Sequence, residues 1–145
     1  MKIYIGSDHG AFEMKEFLKQ ELEKLKIDYE DCGCFNTSSV DYPDIAETTC
    51  KKVLEDKGSR GVLLCGTGIG ISIAANKVKG IRAALCHNEY TAQMAREHND
   101  ANVLCMGGRV LEVELAKAIL RAYLENTFEG GRHEGRLKKI SAIEA

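Results

Sequence analysis

The sequence predicts an α/β domain in which a five-stranded parallel sheet is covered by helices on both faces. Three observations lead to this prediction. Short apolar runs alternate with segments of helical periodicity, no linker or repeat interrupts the alternation, and the length of 145 residues suits one domain with a sizeable core. We therefore expect a single domain over residues 1–145 with right-handed crossovers between its strands.

The predicted elements follow one another in a regular order. Strands are expected at residues 2–6, 27–32, 61–65, 81–86 and 102–106, the run Gly-Val-Leu-Leu-Cys at 61–65 being the clearest. Helices are expected at residues 11–26, from 42 onward, just after 70, at 88–98 and at 112–124. Gly130-Gly131 then breaks the chain before a final basic helical segment.

Composition and charge exclude several classes of function. A net charge of −2 provides no basic field for nucleic acid, and no run approaches the ~18 apolar residues of a membrane span. The N-terminus leads directly into charged sequence, unlike a signal peptide, so we expect a cytoplasmic protein. The six cysteines are then reduced thiols, and Cys32-Gly33-Cys34 is too tight for a zinc knuckle. We expect neither a metal nor a cofactor.

Ligands of parallel α/β sheets bind beyond the carboxyl ends of the strands. This rule selects Asp8-His9, residues 65–70, His87 and residues 107–109. His87 has no evident partner, and we regard it as incidental.

The most informative segment is Cys65-Gly66-Thr67-Gly68-Ile69-Gly70-Ile71-Ser72. Its alternate glycines allow backbone N–H groups to approach a phosphate or a developing oxyanion, and the following helix adds the positive end of its dipole. Ile71 breaks the dinucleotide fingerprint, and the Lys-Ser or Lys-Thr pair of a P-loop is missing. A simple tight turn between strand and helix remains an alternative.

Cys65 stands at the mouth of this loop, where N–H groups stabilise a thiolate that can act as a base. A buried structural cysteine is the alternative. Asp8, His9 and His98 are further acid–base candidates. Arg132 and Arg136 are four residues apart, so a helix places both guanidinium groups on one face, as a phosphate dianion requires. A solvated basic turn is the alternative for that segment.

Together these segments resemble the ribose-5-phosphate isomerase type B family, which includes the galactose-6-phosphate isomerase subunits. The matching segments span residues 6–136 and occur in the order of the family: Gly6-Ser7-Asp8-His9, Asp41-Tyr42-Pro43, residues 65–72, residues 96–100, Asn102-Val103-Leu104, Gly108-Arg109 and residues 129–133.

The resemblance implies a Rossmann-like three-layer sandwich with a C-terminal helical extension, forming a homodimer (or a dimer of dimers) whose active sites are shared between subunits. It implies interconversion of ribose 5-phosphate and ribulose 5-phosphate, a reaction of the pentose phosphate pathway, through an enediolate and without a cofactor. Cys65 would be the base, and His98 would open the furanose ring.

The resemblance also assigns the remaining site residues. Thr67 would polarise the sugar oxygen, and Asp8 would bind the ring hydroxyls. The enediolate would lie against the backbone of Gly66, Gly68, Ile69 and Gly70, beside Thr67. The phosphate would be held by His9, Arg109, Arg132 and Arg136, with Tyr42 and Asn99 lining the sugar.

Two rival functions stay open. A six-carbon substrate, such as galactose 6-phosphate or allose 6-phosphate, differs from ribose 5-phosphate by one carbon, and the sequence does not show the depth of the pocket. A non-catalytic nucleotide- or phosphate-binding module would use the same glycine loop, but it would have no use for Cys65, His98 and Asp8.

Overall fold

The computed structural model describes residues 1–144 and contains a five-stranded sheet with the order β2-β1-β3-β5-β4, in which every neighbouring pair is parallel. The strands are β1 (Lys2–Ser7), β2 (Asp28–Asp31), β3 (Arg60–Cys65), β4 (Ala83–Leu85) and β5 (Val103–Gly107). The helices are α1 (Phe12–Lys24), α2 (Tyr42–Glu55), α3 (Ile69–Asn76), α4 (Glu89–Glu97), α5 (Val113–Glu125) and α6 (Arg132–Ile143). Ala145, the end of the predicted domain, lies outside the described residues.

Successive side chains of the central strands point to opposite faces of the sheet and so contribute to two separate apolar layers. Val62 and Leu64 of β3 face the layer that also contains the apolar stripes of α1, α4 and α5. Leu63 and Cys65 face the opposite layer, which is closed by α2 and α3. Because successive side chains of a strand point to opposite faces, a central strand buried on both sides reads as one continuous apolar run. The predicted Rossmann-like three-layer sandwich is confirmed.

Several element boundaries differ from the prediction for local reasons. The first helix begins at Phe12, because the Asp8 side chain accepts the N–H of Gly10 at 2.9 Å and holds a short 3-10 turn before the helix. The same helix ends at Lys24, since Lys26 has a left-handed φ of 57°. The fourth strand is shorter than predicted, because the N–H of Arg82 donates to the side chain of Asn102 instead of a neighbouring strand.

The connecting helices run from one edge of the sheet to the other. We call the edge where the strands end the carboxyl edge and the edge where they begin the amino edge. Helix α4 begins beyond the end of β4, where the Asn88 side chain accepts the N–H of Thr91. It ends at Glu97, with His98 as its C-cap, shortly before β5 begins. A nine-residue helix is roughly 13 Å long, so its two ends are well separated.

The final helix is only loosely attached to the sandwich. His133 is the one buried residue among those described in α6, while Ile140 and Ile143 are exposed. This is the expected C-terminal helical extension. Across residues 1–144, every helix is too short or too polar to cross a membrane.

A buried lysine connects α1 to the end of β2. Lys15 is fully buried, and its ammonium group donates to the two carboxylate oxygens of Asp31 at 2.7 and 2.6 Å and to the carbonyl oxygen of Cys34. Lys19 also donates to Asp31, at 2.9 Å. Burial alone would raise the pKa of Asp31, but the two lysines and the N–H of Gly33 lower it below its usual value. The carboxylate therefore stays charged and compensates the buried ammonium group.

We expect Asp31→Ala to lower the free energy of unfolding by roughly 3–5 kcal/mol, because it leaves the Lys15 ammonium group buried without its counter-ion. The matched control is Glu47→Ala, which removes an exposed partner of Lys51 and should cost at most about 1 kcal/mol. Urea unfolding at one protein concentration measures both. Equal small losses would mean that Lys15 does not depend on Asp31.

Candidate active site

The glycine loop between β3 and α3 is held in place by close contacts with its neighbours. Gly68 has a positive φ of 81°, and a Cβ atom at this position would lie 2.7 Å from the backbone of Met106. A Cβ atom on Gly107 would likewise lie 2.5 Å from the carbonyl oxygen of Thr67. Both positions therefore require glycine. The loop is packed directly against the end of β5, so its N–H groups are fixed before any ligand arrives.

Cys65 ends β3 with its side chain almost fully buried, and its sulfur accepts the N–H of Gly68 at 3.1 Å. That donor, at the start of α3, favours negative charge on the sulfur. Burial raises the pKa of Cys50 to about 12 and that of Cys86 to about 11. All six cysteines of the described chain are free thiols. The hydrogen bond from Gly68 thus places Cys65 where it can act as a base.

The loop also orients Thr67. Its hydroxyl oxygen accepts the N–H of Ile69 at 3.2 Å, and the side chain is exposed. Because the oxygen accepts this bond, its own proton is free to donate outward. The loop therefore directs the N–H of Gly68 at the Cys65 sulfur and the N–H of Ile69 at the Thr67 hydroxyl.

Arg109 lies between the loop and the first turn after β1. Its guanidinium group is 3.2 Å from the position of a Cβ atom on Gly10 and 3.2 Å from that on Gly66, so both glycines give it room. Its backbone N–H donates to the carbonyl oxygen of Gly66 at 2.9 Å. Beside it, the Nδ1 atom of His9 accepts the N–H of Val40 at 3.2 Å, which leaves Nε2 as the nitrogen available to a ligand.

These side chains border an open cavity of about 240 Å³ lined by His9, Gly10, Glu13, Thr37 and Arg109, among others. Arg109 and His9 are donors that suit an anion of the size of a phosphate. Asp8 is buried at the base of the same turn. Tyr42 completes this side of the site, because a Cβ atom on Gly70 would lie 2.6 Å from its ring.

A second group of predicted site residues lies at the amino edge. His98 terminates α4, and the carbonyl oxygens of Asn99 and Asp100 accept from the guanidinium group of Arg82, which precedes β4. The N–H of Glu129 donates to the carbonyl oxygen of Glu97 at 3.0 Å, which places the start of α6 at the same edge. Arg132 and Arg136 project from this start and are exposed.

The predicted site therefore falls into two halves. The carboxyl-edge half contains Asp8, His9, Tyr42, residues 65–70 and Arg109; the amino-edge half contains His98, Asn99, Arg132 and Arg136. One chain brings together the base, the glycine loop and one arginine. It does not bring the ring-opening candidate His98 to Cys65, because α4 separates the two edges.

The structure also reveals a residue that sequence reasoning missed. The buried ring of His133 stacks on the half-buried ring of His98, with centroids 4.2 Å apart and planes inclined by 17°. The Nε2 atom of His133 is 3.7 Å from a carboxylate oxygen of Glu129. Burial lowers the pKa of His133, and the nearby His98 and Arg132 lower it further. The sequence offered one indication of this role: His133 directly follows the predicted phosphate-binding residue Arg132 and lies four residues after Glu129.

His98, Glu129 and His133 form one cluster of potential metal ligands within residues 1–144, with donor atoms within 4.8 Å of one another. In the stacked arrangement the nitrogen lone pairs of the two rings lie in nearly parallel planes and do not converge on one point. An ion held at the usual ~2.0–2.1 Å from both nitrogens would require one ring to turn.

Comparison with known proteins agrees with this geometry. The chain matches the family model described as Ribose/Galactose Isomerase over residues 3–140. It is 45% identical over 143 residues to ribose-5-phosphate isomerase B of Escherichia coli (strain K12), covering 99% of this chain and 96% of that protein. It is 43% identical over 145 residues to D-erythrulose-4-phosphate isomerase of Pectobacterium atrosepticum, covering 99% of this chain and 95% of that protein.

Among solved structures, the chain is similar to ribose-5-phosphate isomerase B of Clostridium thermocellum, with a TM-score of 0.97 and 49% sequence identity, covering 99% of this chain and 97% of that chain. The family model and the full-length relatives agree on one assignment. The chain belongs to the ribose/galactose isomerase family of sugar-phosphate isomerases.

Proposed function

We propose that this sugar-phosphate isomerase interconverts ribose 5-phosphate and ribulose 5-phosphate through an enediolate, acting as one domain in the cytoplasm. The observation that carries the proposal is the Cys65 sulfur, which accepts a backbone N–H at the start of α3, while the guanidinium group of Arg109 lies against the adjacent Gly66. A base next to oriented N–H groups and a phosphate anchor is what aldose–ketose isomerisation requires.

The reaction begins with ring opening. A proton leaves the anomeric hydroxyl, the bond between C1 and the ring oxygen breaks, and the ring oxygen takes up a proton. His98 exchanges these protons, and Asp8 binds the ring hydroxyls. Asn99 and Tyr42 line the sugar, and the product of this step is the open-chain aldehyde.

Proton transfer follows at Cys65. The thiolate removes the proton from C2, an enediolate forms, and the proton returns to C1 while the O2 proton passes to O1. The N–H of Gly68 donates to the sulfur and stabilises the thiolate, and the N–H of Ile69 donates to the Thr67 hydroxyl. The amides of Gly66, Thr67 and Gly70, together with the Thr67 hydroxyl, therefore stabilise the enediolate oxygen. One such donor contributes about 3–4 kcal/mol in well-studied oxyanion holes.

We propose that the active site is shared between the two subunits of a homodimer. The two halves of the site in one chain are separated by the length of α4, a distance that no side chain spans. A two-fold axis that sets the carboxyl edge of one subunit against the amino edge of its partner completes two identical sites. Exposed apolar side chains at the carboxyl edge, namely Ile69, Ile73 and Val110, support a contact there.

In the assembled site the phosphate is bound by His9 and Arg109 from one subunit and by Arg132 and Arg136 from the other. The two guanidinium groups of α6 lie one turn apart, which suits the oxygens of a dianion. Binding energy from the phosphate orients the sugar for proton transfer, so truncated substrates should react poorly.

An isomerase assay with four-, five- and six-carbon aldose phosphates in the presence of a chelator tests the reaction and its substrate. We expect ribose 5-phosphate to be converted most efficiently and Cys65→Ala to abolish conversion while leaving substrate binding largely intact, because the thiolate acts only in proton transfer. Cys32→Ala, which alters a thiol outside the site, is the matched control.

More efficient turnover of a four-carbon or six-carbon aldose phosphate would show that this sugar, and not ribose 5-phosphate, is the preferred substrate. Near-normal turnover by Cys65→Ala would remove Cys65 as the base. Binding of nucleotides without any sugar turnover would support a binding module instead.

We expect Arg132→Ala and Arg136→Ala mainly to weaken the binding of phosphorylated sugars. Loss of a hydrogen bond to a charged group costs roughly 1.5–3 kcal/mol, or about tenfold and more in affinity. Unphosphorylated ribose should be affected much less. Lys138→Ala, which removes an exposed cation of the same helix, is the control for net charge. Equal losses of affinity for both sugars would show that the two arginines stabilise the fold and do not bind the phosphate.

A further inference from the structure

The stacked pair His98 and His133 connects the last turn of α4 to the first turn of α6. His98 caps α4, its N–H donating to the carbonyl oxygen of Met94 at 2.9 Å, so its backbone is fixed by that helix. His133 lies in the first turn of α6 and is buried, with 4% of its surface exposed. The contact therefore joins His98, whose partly exposed side chain can bind a ligand, to His133, whose buried side chain is held in one orientation by close packing.

Two contacts place His133 beside His98. Its ring lies flat against that of His98, and its backbone N–H donates to the carbonyl oxygen of Gly130 at 3.2 Å, just after Glu129, whose N–H donates to the carbonyl oxygen of Glu97. The Nε2 atom is 3.7 Å from a carboxylate oxygen of Glu129, beyond hydrogen-bond distance. The segment before α6 is thus attached to the end of α4 by backbone as well as by side chains. Rotation of the His98 ring would break the stack and push against this buried surface.

The charges around the pair favour a neutral His133. Arg132 and Arg136 on α6 and His98 on α4 disfavour a further positive charge, and Glu129 only partly offsets them. Burial acts in the same direction and contributes most to the lowered pKa of His133. A neutral flat ring can support His98 in either of its protonation states, whereas a second cation at 4.2 Å would repel protonated His98.

We propose that His133 is a positioning residue for ring opening: its buried ring fixes the orientation in which His98 meets the sugar. The inference rests on the proposed function, and it deepens that function by adding a residue that touches His98 and not the substrate. Ring opening needs one imidazole nitrogen aligned with the anomeric hydroxyl and the ring oxygen. Loss of that alignment lowers the rate of this step and leaves the later proton transfer at Cys65 unchanged.

The two steps can be measured separately because the substrates differ in ring closure. Ribose 5-phosphate is a furanose and must be opened. Ribulose 5-phosphate carries its phosphate on the O5 atom that would close a five-membered ring on C2, so it is open-chain. Exchange of a C1 proton of ribulose 5-phosphate with deuterium from solvent therefore requires Cys65, the enediolate and phosphate binding, but no ring opening.

We expect His133→Ala to lower kcat/KM for ribose 5-phosphate by roughly tenfold to a hundredfold, as a misplaced catalytic group does. The deuterium exchange rate with ribulose 5-phosphate should stay within about twofold of the unaltered enzyme, because no binding or proton-transfer group is changed. His133→Phe retains a flat ring against His98 and should lose less activity than His133→Ala. His98→Asn should show the same selective loss, and Cys65→Ala should lose both reactions. Lys138→Ala should lose neither.

Equal losses of conversion and exchange in both His133 variants would overturn the inference, since they would show a structural role for His133. Unchanged conversion by both variants would also overturn it. If His133→Ala does not fold, the ratio of the two rates in His133→Phe decides. Failure of the unaltered enzyme to convert ribose 5-phosphate would overturn the proposed function itself, and no variant is needed to recognise that result.

Discussion

The arrangement of the site follows from one constraint of parallel α/β sheets: every connecting helix must carry the chain from the carboxyl edge back to the amino edge. Cys65 is the last residue of β3 at the carboxyl edge, and His98 follows α4 at the amino edge. The sheet between them is buried on both faces, and α4 is packed against it through Ala92 and Ala95. Such a core does not bend to bring the two residues together. A partner subunit is the simplest way to complete the site.

Close packing around the glycine loop accounts for the precision of the carboxyl-edge half. A Cβ atom would collide with the end of β5 at Gly68, with the Thr67 backbone at Gly107 and with the Tyr42 ring at Gly70. These contacts fix the loop against β5 and α2. Its N–H groups are consequently oriented by the fold and not by the ligand, as the proposed stabilisation of an enediolate requires.

Much of the fold was predictable from sequence, because a fully buried strand such as β3 and an amphipathic helix such as α5 have distinct periodicities. The position of the glycine loop was also predictable, since alternate glycines follow the clearest strand and precede a helix. The 3-10 turn at Asp8 was not, because it depends on one hydrogen bond to the N–H of Gly10. The contact of His133 with His98 was not predictable either, because it joins the ends of two helices that are distant in sequence.

The proposal that two subunits share each site is tested most directly by subunit complementation. Inactive Cys65→Ala and inactive His98→Asn proteins are unfolded together and refolded. Random pairing makes half of the dimers mixed, and each mixed dimer then has one site with both changes and one site with neither. About a quarter of the unaltered activity should therefore return. A second mixture, Cys65→Ala with Asp8→Asn, changes two residues of the same half and should regain nothing. Absence of recovery in the first mixture, with mixed dimers shown to be present, would contradict the shared site.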